Sequence, residues 1–102
     1  MSKELTEVLY ETAKDFHRIG LMDDQTMREF DALVLPKVKH YTPMQIKKLR
    51  KRNHASQAVF AAYLNTNVST VQKWEQGQKK PNGISLKLLN LVEKHGLTLL
   101  AA

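Results

Sequence analysis

A chain of 102 residues with a 42% hydrophobic fraction supports one compact domain and an appended arm, and leaves too little for two full domains. It has no apolar run of about 18 residues and no charged-then-apolar leader, so neither a membrane span nor a signal peptide is expected and a cytoplasmic location is; zero cysteines exclude disulfides and thiolate metal sites. The net charge of +6 is unevenly divided, because residues 1–40 hold six Lys/Arg and eight Asp/Glu whereas residues 41–102 hold ten and two, and a polyanion is the natural partner of the second part.

From Glu4 to Ile19 the apolar residues Leu5, Val8, Leu9, Phe16 and Ile19 recur at helical spacing, which predicts an amphipathic helix ended by Gly20. Thr26 and Glu29 form a capping-box pattern that opens a short helix carrying Met27, Phe30 and Leu33. Pro36 pushes the residue before it out of the helical region, so residues 35–41 read as an extended linker or a lone strand. The boundary falls there, giving an arm over residues 1–40 and a domain over residues 41–102. The arm's stripes either fold back onto the carboxy-terminal core or present Leu5, Leu9, Phe16 and Phe30 to a second protein or a second copy, and their acidic setting suits a basic partner.

Thr42-Pro43-Met44-Gln45 combines an N-cap, a proline at the first helical position and a capping-box glutamine. Ile46 and Leu49 of this helix face inward, and Lys47, Lys48, Lys51 and Arg52 spread over its surface. Ser56 caps the next helix, whose buried face is expected to hold Val59, Phe60, Tyr63 and Leu64. Asn65-Thr66-Asn67 breaks the pattern in a turn, since Asn enters the left-handed region cheaply. Ser69 with Gln72 reads as a capping box that restarts the helix, Val71 and Trp74 lie on its inner face, and Gly77 stops it. Ala61 is small where two steeply crossing helices approach. A basic loop, residues 78–82, then leads through Gly83 into a last helix with Ile84, Leu88, Leu89, Leu91 and Val92 as the expected buried set. Gly96 ends it, and the apolar residues 97–102 pack on the domain or at a dimer contact.

Gln57, Ala61, Val71, Trp74 and the Trp74-Glu75-Gln76-Gly77 ending together resemble the helix-turn-helix of the phage repressor and Cro superfamily, the xenobiotic-response-element type, over roughly residues 43–95. The resemblance implies an all-α, lambda-repressor-like domain preceded by a short helical arm, whose second motif helix enters the major groove of double-stranded DNA. It implies base contacts from Asn67, Ser69, Thr70, Gln72 and Lys73. Adenine suits Asn67 or Gln72, guanine suits Lys73 and a thymine methyl suits Thr70. Phosphate contacts are expected from Gln57, Lys79, Lys80 and Asn82, with Arg52 and Lys47 as outliers. Related repressors pair an arginine placed like Arg50 with a glutamate placed like Glu75. The chain departs from the family pattern at Asn53-His54-Ala55, where relatives carry leucine, glycine, leucine; Asn53 or His54 takes the left-handed cap there, and two apolar contacts are missing.

The whole chain is similar to HigA-type antitoxins, through Trp74 to Gly77, the basic Pro-x-Gly loop of Lys79 to Gly83 and the leucine-rich Leu86 to Val92. That resemblance implies a homodimeric repressor on a palindromic operator, autoregulating an operon that also encodes a basic, RelE-like toxin. The last helix and residues 97–102 are the first candidates for the dimer contact, and the arm is the second. No enzyme, metal or cofactor is expected, because the four histidines have no ligand spacing and no carboxylate pair, nucleophile elbow or glycine-rich phosphate loop is present. The rival readings are a stand-alone regulator without a toxin and an interaction module that has lost DNA binding.

Overall fold

A computed structural model describes residues 3–102, and every regular element among the described residues is helical. The chain divides into two compact units, Met1–Lys37 and Val38–Ala102.

The first unit is a helical hairpin of α1, Lys3–Arg18, and α2, Asp24–Leu33. The face of α1 that meets α2 is Thr6, Tyr10, Ala13 and His17, spaced as neighbours on one side of a helix. Ala13 is buried, the Tyr10 hydroxyl donates to Asp31 at 2.9 Å, and His17 Nε2 lies 2.7 Å from Asp24 Oδ1. The stripe with the strongest periodicity lies on another side. Leu5, Val8, Leu9, Phe16 and Ile19 all stay exposed, while Met27 of α2 is buried and Phe30 half-buried. The α2 start also differs from expectation, since the cap is Asp23, whose carboxylate accepts the Thr26 N–H at 2.7 Å, and Thr26 lies inside the first turn. Two competent cappers lay three residues apart, and the ionised one gains more from the positive end of the helix.

The second unit contains α3, Pro43–Arg52, α4, Gln57–Tyr63, α5, Val68–Gln76, α6, Gly83–His95, and a closing 3-10 helix, Leu97–Ala101. Its core is Ile46, Leu49, Phe60, Ala61, Leu64, Val71, Trp74, Leu89, Val92 and Leu97, with Phe60 wholly enclosed. Ala61 is buried in that core, consistent with a close approach of α4 and α5. The capping box of α3 forms in both directions, Gln45 N–H to the Thr42 hydroxyl and the Thr42 N–H back to Gln45 Oε1.

Residues 38–41 belong to this unit. Asn90 of α6 accepts the Lys39 N–H at 2.8 Å and returns its own amide proton to the Lys39 carbonyl at 2.9 Å, in the manner of a strand partner. The Lys39 ammonium and the Tyr41 hydroxyl both donate to Glu93, one helical turn further on.

Three expectations are corrected here. Val59 and Tyr63 are exposed on α4, because the 100° turn per residue leaves only Phe60, Ala61 and Leu64 aimed at the core. On α6 the buried residues are Leu86, Leu89 and Val92; Ile84 is 77% exposed, and Leu88 and Leu91 are half-buried. The cap of α5 is Asn67 and not Ser69, so the helix starts at Val68.

The departure at residues 53–55 is resolved by polar and not apolar contacts. His54 takes the left-handed conformation at φ 56° and Ala55 is buried. The Asn53 amide donates to the Leu49 carbonyl at 2.8 Å and accepts the Leu97 N–H at 3.0 Å. That one side chain closes α3 and ties down the carboxy-terminal 3-10 turn, as a leucine could not.

Candidate nucleic-acid interface

The turn between α4 and α5 is set by Asn65, which adopts φ 55°, and by the Thr66 N–H, which bonds the Ala61 carbonyl at 2.9 Å. Asn67 then caps α5 by accepting the Thr70 N–H, and its Oδ1 also accepts the Thr70 hydroxyl, both at 2.8 Å. Val71 and Trp74 are buried beneath the helix, and the opposite face presents Ser69, Gln72, Lys73 and Gln76 to solvent. Gln76 was not singled out from the sequence, although its spacing of four from Gln72 and three from Lys73 placed it there. Thr70 is half-buried at the edge of this face with its hydroxyl already engaged.

Gly77 ends α5 in the left-handed conformation, φ 77°, which a side chain adopts only under strain. The Gln78 and Lys79 N–H groups both bond the Lys73 carbonyl, at 2.9 and 3.3 Å, so the basic loop hangs from the last turn of the helix. Lys79 and Lys80 project from it, exposed. Asn82 is exposed as well, with its Oδ1 accepting the Ser85 N–H at 2.9 Å as the cap of α6 and its amide nitrogen left for an outside acceptor.

Glu75 ties three helices together. Its two oxygens accept Arg50 Nε at 2.7 Å and Nη2 at 2.9 Å, and Gln57 Nε2 reaches Oε1 at 3.3 Å. The remaining Arg50 Nη1 donates to the Ala55 carbonyl at 3.0 Å, and Arg50 is only 9% exposed. A guanidinium at that depth is tolerated because the carboxylate matches its fork with two parallel bonds. Burial pulls the Glu75 carboxyl upward, but hydrogen bonds from Arg50 and Gln57 and the charges of Arg50 and Lys47 outweigh it and hold the carboxyl below its ordinary value. Glu93 is lowered too, by the hydrogen bonds from Tyr41 and Lys39.

Both groups therefore bind fewer protons in the folded chain than in the unfolded one over the acid range. Their contribution is complete above the ordinary glutamate pKa and is lost as pH falls through the folded values. The urea midpoint is expected to hold steady from neutrality to about pH 5 and to decline below about pH 4.5, which a pH series of unfolding curves reads directly.

The two outlying basic residues lie on different sides of α3. Lys47 acts on Glu75, on the side of α5. Arg52 acts on Glu93 and lines a cleft of about 240 Å3 with Lys39, Tyr41, Gln45, Lys48 and Leu49, on the side of α6. Arg52 is thus separated from the face formed by α5 and the basic loop. Leu5, Leu9, Phe16 and Phe30 lie in the first unit, the first three exposed and the last half-buried. Among the described residues no cluster of His, Asp or Glu suits a metal ion, and no helix is long and apolar enough to cross a membrane.

Two helices meeting over Ala61 around an asparagine turn, the second showing a polar face above a buried Val-Trp pair, define a helix-turn-helix. Residues 46–92, within the second unit, match the family model described as helix-turn-helix. The chain is similar to Antitoxin HigA-2 of Vibrio cholerae serotype O1, with 41% identity over 58 residues, 57% of this chain and 56% of the relative. The match thus spans little more than half of that relative's length.

Proposed function

We propose that this chain is a sequence-specific repressor that binds a palindromic DNA operator as a homodimer, and that it serves as the antitoxin of a toxin-antitoxin operon which it autoregulates. The observation that carries the DNA reading is the solvent-facing row of Ser69, Gln72, Lys73 and Gln76, flanked by Lys79 and Lys80, on a unit holding eleven Lys/Arg against two Asp/Glu. Small polar side chains on a helix reach base edges in the major groove, and the flanking lysines with Gln57 and the N–H groups opening α4 meet phosphates. One such module buries too little surface for operator-level affinity, which makes a dimer on two half-sites the working form.

The antitoxin reading rests on the similarity to HigA-2 and on the first unit. There Leu5, Leu9 and Phe16 form an exposed stripe beside the acidic row Glu4, Glu7, Glu11 and Asp15. An apolar stripe with an acidic border fits a basic protein, and a compact RelE-like toxin has that character.

Fluorescence anisotropy with the DNA upstream of the chain's own reading frame, repeated over a salt series, tests the first part. Lys73→Ala is expected to reduce discrimination between the cognate site and single-base variants by about tenfold at one or two positions, with binding to random DNA little changed. Equal losses on cognate and random DNA, or affinity indifferent to salt, would reject it. Co-expression with the neighbouring reading frame tests the second part: a basic partner should co-purify with the full chain and be lost from a Leu9→Asp, Phe16→Asp variant.

A further inference from the structure

Where the strap of residues 38–41 enters α3 and the basic loop leaves α5, the second unit holds a cleft of about 320 Å3. Its apolar lining comes from Tyr41, Pro43, Ile46, Trp74 and Pro81, and the core fixes two of these, since Ile46 is 1% exposed and Trp74 2%. A Cβ on Gly77 would stand 3.5 Å from Pro43 Cγ, so the start of α3 and the end of α5 touch at the edge of the cleft. The polar part of the lining is cationic. Lys79 and Lys80 are exposed there beside His40, no carboxylate lines the cleft, and neither lysine has an acidic partner among the described residues. The cleft that shares Tyr41 with it is different in kind, because Glu93 lines that one and already takes the Lys39 ammonium at 3.0 Å.

We infer that this cleft binds a small aromatic carboxylate, its ring on the apolar lining and its carboxylate at Lys79 and Lys80, and that the ligand competes with operator DNA for those two lysines. The binding rests on the cleft alone, and the competition rests on the operator reading above. The volume lies at the lower end of the roughly 300–1,000 Å3 of small-molecule sites, where an apolar lining supplies the contact and a few polar groups fix the orientation. Two aromatic side chains and two pyrrolidine rings offer flat surfaces, which suit a planar ring in offset or edge contact. The two ammonium groups, without a carboxylate of the chain's own, suit a ligand that brings one, through charge-assisted hydrogen bonds.

The position of the cleft connects it to DNA binding. Main-chain bonds from Gln78 and Lys79 to the Lys73 carbonyl hold the loop, while the flexible four-carbon stems of Lys79 and Lys80 leave their ammonium groups free to swing. Turned outward they meet phosphates, and turned over the cleft they meet the ligand. One ammonium cannot serve both, so the ligand lowers operator affinity by the same factor by which the operator lowers ligand affinity.

Trp74 is the one tryptophan of the chain, so its fluorescence reports on this cleft directly. Titrating the full chain with phenylacetate, in the absence of DNA, should change that emission saturably with a Kd on the order of 1 mM, as befits a ligand of about ten non-hydrogen atoms. Phenylacetamide, which keeps the shape without the charge, should bind roughly tenfold more weakly, and acetate, the charge without the ring, should leave the emission unchanged. Lys79→Ala with Lys80→Ala should reduce phenylacetate to the level of the amide at an unaltered Tm, and amide NMR shifts in the wild-type chain should move within residues 40–46 and 74–81. With phenylacetate about tenfold above its Kd, operator affinity should fall by about tenfold for each copy bound, relative to equimolar acetate. An emission that never saturates, shifts centred elsewhere in the chain, or equal binding of acid and amide would overturn the site. Full occupancy with operator affinity unmoved would overturn the competition. A chain that binds no DNA would end the operator reading and the competition together, and the titration without DNA would still judge the site.

Discussion

Glu75→Ala is expected to destabilise the second unit by about 3 kcal/mol, the lower end for removing one partner of a buried ion pair. A shift of that size lowers Tm by roughly 10–20 °C in a domain this small. The loss comes less from the missing attraction than from what remains, because Arg50 is 9% exposed and keeps only the Ala55 carbonyl as partner once the carboxylate is gone. A charged guanidinium then sits in the interior without a counter-charge. Arg50→Met combined with Glu75→Leu removes both charges together and is expected to recover most of the loss, since the cost of desolvating them disappears too. Thermal melts of the two variants measure the difference. A Glu75→Ala melt within a few degrees of wild type would mean that water screens the pair. Gln57 also loses its tie to α5, so DNA affinity should fall more than the stability loss alone explains.

Lys79→Ala with Lys80→Ala is expected to leave Tm nearly unchanged and to weaken DNA binding by roughly a thousandfold near physiological salt, on cognate and random sequences alike. Both side chains are exposed, on a loop held by main-chain bonds to the Lys73 carbonyl, so the fold does not depend on them. Each phosphate contact contributes about 0.9 to the slope of log affinity against log salt, and a dimer loses four contacts at once, so the slope falls by about 3.6. A monomer on DNA loses two, which reduces the effect to roughly thirtyfold at the same salt. Anisotropy titrations at several salt concentrations therefore count the copies bound as well as the contacts. A cognate complex weakened far more than a random one would show that the loop reads sequence, against the division of roles proposed above.

Features written in a few adjacent residues were legible before any coordinates. The Thr42-Gln45 capping box, the asparagine turn at residues 65–67, the stop at Gly77, and the buried Val71 and Trp74 each follow from short-range pattern. The reading failed where two residues competed for one role. Asn67 and Ser69 can both cap, and the winner is decided by where the turn releases the chain. Residues 84–92 of α6 are apolar on two flanks, and spacing cannot say which flank joins the core. At the candidate site, the outer face of α5 followed from its period, but the split between Lys47 and Arg52 did not. It depends on how α6 and the strap of residues 38–41 close around α3. The dual role of Asn53 was likewise out of reach, because its second partner, Leu97, lies 44 residues away.

The cap of α5 limits what the head of that helix can recognise. Two donors from Thr70 occupy the amide oxygen of Asn67, so only its amide nitrogen remains to face outward. A side chain in that state cannot form the two-point pair with adenine open to a free asparagine. It suits acceptor groups instead: purine N7, guanine O6, thymine O4 or a phosphate oxygen. Exchange for aspartate would keep the helix start and present an anion to the duplex, so folding and recognition at this position separate by a single atom.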